Sequence, residues 1–523
     1  MSKWWHDAAI YQIYPRSFQD TTGDGVGDLT GIRQRLGYLR DLGVGAVWLS
    51  PIFQSPMSDF GYDISDYCAI DPLFGRMEDF DALLADAHDQ GFKLLLDFVP
   101  NHTSDQHRWF QESRSNRSNS KRHWYIWREP ASDGGPPNNW VSNFGGSAWE
   151  FDEETEQYYY HAFLQEQPDL NWRNPEVRAA MSDTLRFWLD KGVDGFRVDV
   201  IWHLIKDEQF RDNPPNPAWE PGQPEIDRFL QVHSADQPHV REVIAELRDV
   251  IEEYENRLLI GEIYLPVDRL VAYYGGSNDG VHLPFNFQLI HAPWRAERLG
   301  ELIDEYERAL PAGGWPNWVL SNHDQLRIAA RIGPAQARVA AMLLLTLRGT
   351  PTLYYGDELG IDDVTIPQDR IRDPWAKNEP DASFNRDRAR TPMQWTAAPH
   401  AGFSSGEPWL PLTDDAAERN VACQGDQPHS ILSLHRALLK VRGAVAALRT
   451  GNYARLGVSG PVLSYRRGEN IAIALNLSDV AAPLDLPQRF ARGEVLLRAA
   501  CATSGGAVPD EIGPNEGLII RAR

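Results

Sequence analysis

Short apolar runs recur along most of the chain, separated by stretches in which apolar residues return at three- and four-residue spacing. The runs are Ala9–Tyr14, Val44–Leu49, Lys93–Phe98, Phe196–Val200, Leu258–Glu262, a weaker one near Val281, Trp318–Leu320 and Thr352–Tyr355. Near-continuous apolar runs of this length predict strands covered on both faces. The spacing at Ile32–Leu42, at Met77–Gln90 and in Leu185–Lys191 predicts helices between them. Strands and helices alternating about eight times predict an α/β fold, a closed (β/α)8 TIM barrel with its chemistry at the C-terminal strand ends.

Two stretches interrupt the alternation. Positions 101–171 hold Ser, Asn, Gly and aromatics but no strand–helix unit, which predicts a subdomain inserted after the third strand. Asp357 to Asp426, rich in Pro, Asp and Arg, predicts a long loop after the last strand. The helix Ile431–Val441 follows it. Beyond Gly443, short β-type runs separated by Gly, Asn and Pro (Leu456–Ile473, Ala474–Ile520) predict an antiparallel β domain. The expected organisation is a barrel of 1–100 and 172–442, an inserted subdomain of 101–171, and a C-terminal β-sandwich domain of 443–523.

Composition narrows the function. A net charge of −23 with no basic run argues against nucleic acid or an anionic membrane as partner. Cys68, Cys423 and Cys501 are odd in number and far apart, so neither a disulfide framework nor a zinc site is expected. The first residues lack a signal-peptide pattern and no apolar stretch is long enough to span a bilayer, so a cytoplasmic protein is expected.

The chemistry sits at the strand ends. In Gly195-Phe196-Arg197-Val198-Asp199, Arg197 and Asp199 share one face of an apolar strand. Charges in such a place are costly unless paired or used. Three more runs end in polar groups: Asp97-Phe98-Val99-Pro100-Asn101-His102, Gly261-Glu262, and Ser321-Asn322-His323-Asp324. Acids at the tops of several barrel strands converge on one axis.

These four motifs, in this order, resemble the α-amylase family of retaining glycoside hydrolases. Gln167-Pro168-Asp169-Leu170-Asn171 and Arg390-Thr391-Pro392-Met393-Gln394-Trp395 resemble its α-glucosidase and oligo-1,6-glucosidase branch. The resemblance implies Asp199 as nucleophile, Glu262 as general acid/base and Asp324 as transition-state stabiliser. It implies that Asp59, Tyr62, His102, Phe144, Arg197, His323 and Arg386 surround the terminal glucose. Tyr62 would stack under the sugar, and Asp59 paired with Arg386 would close the pocket. Asp63 and Arg390 rank below these, and Asp97 is read as a support.

The implied activity is exo-acting release of glucose from short α-glucosides with retention. Transglucosylation is the near alternative, then sucrose hydrolysis or isomerisation. A non-catalytic transporter heavy chain shares the fold, but that class has a membrane helix and degraded acids. Val200, directly after the nucleophile, is the residue related enzymes carry when they accept α-1,6 bonds, so α-1,6 cleavage with some α-1,4 is expected. The partner is an oligosaccharide or α-glucoside, and the assembly a monomer or homodimer. Asp20, Thr22, Asp24, Val26 (through its carbonyl) and Asp28 place oxygens at alternate positions, as an EF-hand-like loop does, although its closing Glu position is Gly31. The related glucosidases bind an ion there, so a structural Ca²⁺ or Mg²⁺ is expected, with no organic cofactor.

Overall fold

The computed structural model describes residues 3–379 and 384–523. Part of the long loop predicted over 357–426 lies outside these residues. Eight parallel strands close into a barrel: β1 (Ile10–Ile13), β2 (Ala46–Leu49), β3 (Lys93–Phe98), β4 (Gly195–Val198), β5 (Leu258–Gly261), β6 (Leu283–Asn286), β7 (Asn317–Val319) and β8 (Thr350–Tyr354). They neighbour one another in chain order, and β8 pairs with β1 to close the ring.

Alternation along the strands builds two apolar layers. Ile10, Trp48, Leu95, Ile260, Phe285 and Val319 fill the interior. Tyr11, Val47, Leu94, Leu96, Phe196, Val198 and Leu259 face the helices. The period of two therefore carries Asp97, Arg197 and Glu262 inward, on top of the interior layer. β3 and β4 pair in a register that sets Asp97 against Arg197.

The helix before β4 (α1, Pro175–Lys191) illustrates the outer layer. Asn174 caps it by accepting from Glu176 N–H, Pro175 occupies its first turn, and Gly192 ends it at φ 104°. Val177, Met181, Leu185, Trp188 and Leu189 form its buried stripe.

The inserted segment carries the three-stranded antiparallel sheet of Trp127–Arg128, Gln157–Tyr160 and Trp149–Asp152. Beyond the last barrel helix (α2, Ile431–Ala444) lies a five-stranded antiparallel sheet: β9 (Tyr453–Ser459), β10 (Val462–Arg467), β11 (Ile471–Asn476), β12 (Glu494–Arg498) and β13 (Gly517–Arg521), with a separate two-stranded pair.

Three sequence expectations shift. The helix predicted over 32–42 is two helices, Leu29–Gln34 and Leu36–Leu42. Arg35 breaks it, its N–H turning to Ile32 O while its guanidinium lies 4.1 Å from the Trp395 ring centre. The run near Val281 starts its strand two residues later. The strand predicted over 196–200 ends at Val198, because Val200 turns into a left-handed conformation.

Gly195 shows how tightly β4 meets β5. Its φ is 154°, and a Cβ there would lie 2.1 Å from Leu258 O. Gly195→Ala should cost at least about 1–3 kcal/mol from strain alone. Urea denaturation measures it; an unchanged midpoint would contradict this packing.

Candidate active site

The strand ends open into a cavity of about 410 Å³. At its floor the Arg197 guanidinium is shared by three carboxylates. Nη1 donates to Asp97 Oδ1 and to Asp199 Oδ1, both at 2.7 Å. Nη2 lies 2.8 Å from Glu262 Oε2. Val200 N–H adds a 2.9 Å bond to the same Glu262 oxygen.

Burial raises the Asp199 carboxyl well above the ordinary carboxylate range, Arg197 opposing it and Glu262 and Asp97 reinforcing it. Burial likewise raises Glu262, against Arg197 and with Asp324. Asp97 rises to about 6 for the same reason, again against Arg197. Three carboxylates on one guanidinium cannot all ionise cheaply, so the cluster retains a proton and titrates as a unit.

Asp324 behaves oppositely. Burial opposes its charge, but His323, Arg390 and Arg386 overcome that and hold the carboxyl below its usual range. Arg390 Nη2 donates to its Oδ1 at 2.8 Å and Arg386 Nη1 at 3.3 Å. His323 Nε2 lies 3.1 Å from Oδ2. Gln12 Nε2 donates to His323 Nδ1 at 2.8 Å, so the tautomer carries its proton on Nε2.

Tyr62 stacks on His323, with ring centres 5.3 Å apart and planes 4° apart, and donates its hydroxyl to Asp97 Oδ2 at 3.1 Å. His102 lies on the wall with its nitrogens turned to protein: Asn101 Nδ2 at 3.2 Å, Tyr62 O at 3.1 Å and Gln167 Nε2 at 3.1 Å. A sugar hydroxyl would have to replace one of these. Burial lowers His102 to about 3, so it is neutral.

The far wall is a second ion cluster. Arg386 Nη2 donates to Asp59 Oδ1 at 2.7 Å and to Asp373 Oδ1 at 2.8 Å, and its Nε donates to the same Asp373 oxygen at 2.9 Å. The Phe144 ring centre lies 4.7 Å from this guanidinium. All ten catalytic and sugar-contact candidates thus sit in or against one cavity. Sequence reasoning missed Asp373, Phe163, Tyr264 and Trp375, and ranked Arg390 too low. Arg390 was in view, in a motif already quoted; the others lie in loops without periodicity.

The candidate metal residues stand apart from the cavity, in a loop whose carboxylates accept backbone and hydroxyl hydrogen bonds. Asp20 Oδ1 accepts from Thr22 N–H and Gly23 N–H, both at 2.8 Å; its Oδ2 accepts from Gly25 N–H at 2.8 Å and Ser404 Oγ at 2.5 Å. Asp28 accepts from Thr21 N–H and Gly31 N–H, each at 2.7 Å, and Asp24 from Val26 N–H at 2.9 Å. Gly23 and Gly25, at φ 85° and 86°, turn those N–H groups inward. Among the described residues no group of three or more His, Cys, Asp or Glu is arranged to hold a metal.

Known proteins match the chain over most or all of its length. Residues 12–451 match the alpha-amylase catalytic domain. The alpha-glucosidase of Culex pipiens is 40% identical over 99% of this chain and 91% of its own. The oligo-1,6-glucosidase of Heyndrickxia coagulans is 38% identical over 93% and 94%. Among solved structures, an alpha-glucosyl transfer enzyme superposes with a TM-score of 0.95 at 42% identity, covering 100% of both chains. The trehalulose synthase of Pseudomonas mesoacidophila MX-45 gives 0.91 at 33%, again over 100% of both. The chain belongs to the alpha-amylase family of glycoside hydrolases.

Proposed function

We propose that the chain is an exo-acting, retaining α-glucosidase that releases glucose from the non-reducing end of short α-1,6- and α-1,4-glucosides. The observation that carries the reading is the Asp199–Glu262 pair on Arg197, facing Asp324 across a cavity whose far end Asp59 and Arg386 close.

In the first step Asp199 attacks the anomeric carbon while Glu262 gives its proton to the glycosidic oxygen. The C–O bond to the aglycone breaks and a glucosyl ester forms on Asp199. In the second, Glu262 takes a proton from water, the oxygen attacks the anomeric carbon from the opposite face, and Asp199 leaves. Two inversions give retention. Asp324, held ionised by His323, Arg390 and Arg386, faces the oxocarbenium-like centre and stabilises its positive charge. Tyr62, Phe144, His102 and His323 line the glucose.

A second reading has its own support. Trp202, Ile226, Tyr264 and Trp375 give the cavity's remaining wall an apolar face. Such a wall shelters the ester from water and seats a sugar or alcohol acceptor, and the alpha-glucosyl transfer enzyme is a near structural relative. The two readings share one covalent intermediate.

The Ca²⁺ or Mg²⁺ ion proposed for the Asp20–Asp28 loop rests on the spacing of its oxygens and on the resemblance to glucosidases that bind an ion there. If it binds, melting temperature rises in millimolar Ca²⁺ or Mg²⁺ relative to chelator. Equal melting in both removes it.

Isomaltose and maltose should both be cleaved, with α-glucose appearing before β-glucose by NMR. Asp199→Asn and Glu262→Gln should each lower kcat by on the order of 10²–10⁴-fold or more while preserving circular dichroism. β-Glucose as first product, or full activity in either variant, overturns the mechanism.

Arg386→Ala strips Asp59 and Asp373 of their shared partner. A buried charge left unpaired costs about 3–5 kcal/mol. We expect kcat/KM on maltose to fall about 100-fold or more, with starch a poor substrate for the wild type. Early maltotriose and longer products from starch would contradict a closed pocket.

A further inference from the structure

Val200 adopts φ 34° and ψ 45°. It is the one β-branched residue among the described non-glycine residues with positive φ. The left-handed region crowds a branched Cβ, so this backbone persists only where its surroundings over-determine it. Gly or Asn would make the same turn with less strain. Its position is therefore informative.

The strand ladder runs regularly up to this point. Asp199 N–H donates to Phe98 O at 2.8 Å, and Glu262 N–H donates to Val198 O at 3.0 Å. The next peptide breaks the pattern. The left-handed turn swings Val200 N–H away from the ladder and onto Glu262 Oε2 at 2.9 Å. Val200 O then accepts from His203 N–H at 2.8 Å, which starts the short helix Ile201–His203 and fixes the turn from its other side. The side chain meanwhile lines the cavity.

Glu262 Oε2 thus accepts from Val200 N–H and is ion-paired with Arg197 Nη2 at 2.8 Å. Oε1 is the oxygen left for the glycosidic oxygen. We propose that Val200 is a positioning residue whose strained main chain aims its N–H at Glu262, selects which carboxyl oxygen exchanges the proton, and favours the ionised form needed in the second step. The proposal rests on Glu262 as the acid/base. It assigns a task to the main chain at 200, separate from any effect of the side chain on linkage.

The test removes the N–H and keeps the side chain. Incorporating the α-hydroxy acid analogue of valine at 200 replaces the amide by an ester and keeps the side chain. Expected are a loss of about 10-fold or more in kcat on maltose, and a basic limb of the kcat/KM profile displaced to higher pH, because losing a donor to the carboxylate favours its protonated form. Dinitrophenyl α-glucoside, whose leaving group departs without a proton, should form the glucosyl ester within about twofold of the wild-type rate. Val200→Gly keeps the N–H in a backbone that glycine adopts freely, so its basic limb should stay in place. An ester enzyme with an unmoved limb, or with equal losses on both substrates, overturns the proposal. Glu262→Gln separates this from failure of the underlying reading. If it processes both substrates alike, Glu262 is not the acid. If it shows the leaving-group dependence and the ester enzyme does not, only the role of Val200 fails.

Discussion

Everything in the cavity depends on one guanidinium held between adjacent barrel strands. Arg197 is buried and carries Asp97, Asp199 and Glu262 at once. Taking such charges out of water costs several kcal/mol per ion, recovered only by near-ideal geometry. The barrel supplies that geometry through register, because pairing Asp97 with Arg197 is a property of β3 and β4 rather than of any loop. The pleat does the rest, since the residues that alternate outward are the apolar ones that hold the helices. The same alternation that stabilises the fold therefore aims the acids.

Counting charge over both clusters explains the chemistry better than any single pair. Asp97, Asp199, Glu262, Asp324, Asp59 and Asp373 surround Arg197, Arg386 and Arg390. The excess of carboxylates is a field that favours cations. It keeps a proton on the Arg197 cluster before substrate binds, and it favours positive charge at an anomeric carbon when the bond breaks. Asp324 stays ionised because its near neighbours are His323, Arg386 and Arg390 rather than another acid. Environments that push like groups apart in protonation divide the labour among acids of the same type.

Much of this was legible in the sequence, and the limit has a physical origin. Lys93–Phe98 was read with its observed bounds, because the apolar Leu94–Leu96 sits between a helix and the Pro100 that follows. The strand carrying Arg197 was read two residues too long at its end, since Val200 is a good strand former and nothing local signals its turn. At the split, Arg35 meets Trp395, which lies far along the chain. Asp97, Arg197, Asp199, Glu262 and Asp324 were legible because charge at the end of an apolar run is anomalous. Asp373 was not, because an acid in a polar loop is ordinary until the fold sets Arg386 against it.

That last case marks a division within the site. The reacting acids stand on or next to strands, and their placement follows from the barrel. The far wall joins Asp59 to Arg386, which are 327 positions apart, through Asp373 in the same late loop. Neither partner is placed by strand register. Asp59 follows β2 and hangs from Asp63 through its own N–H, while Arg386 opens a short helix capped by Asn385. Closure of the pocket is thus a property of two loops meeting, and the two-carboxylate chemistry is a property of the barrel beneath them. Changes in these loops can alter where a chain is cut, or which acceptor takes the glucose, while leaving the Arg197 cluster untouched. A family that keeps one barrel and exchanges the loops above it can therefore change substrate without rebuilding its catalytic floor.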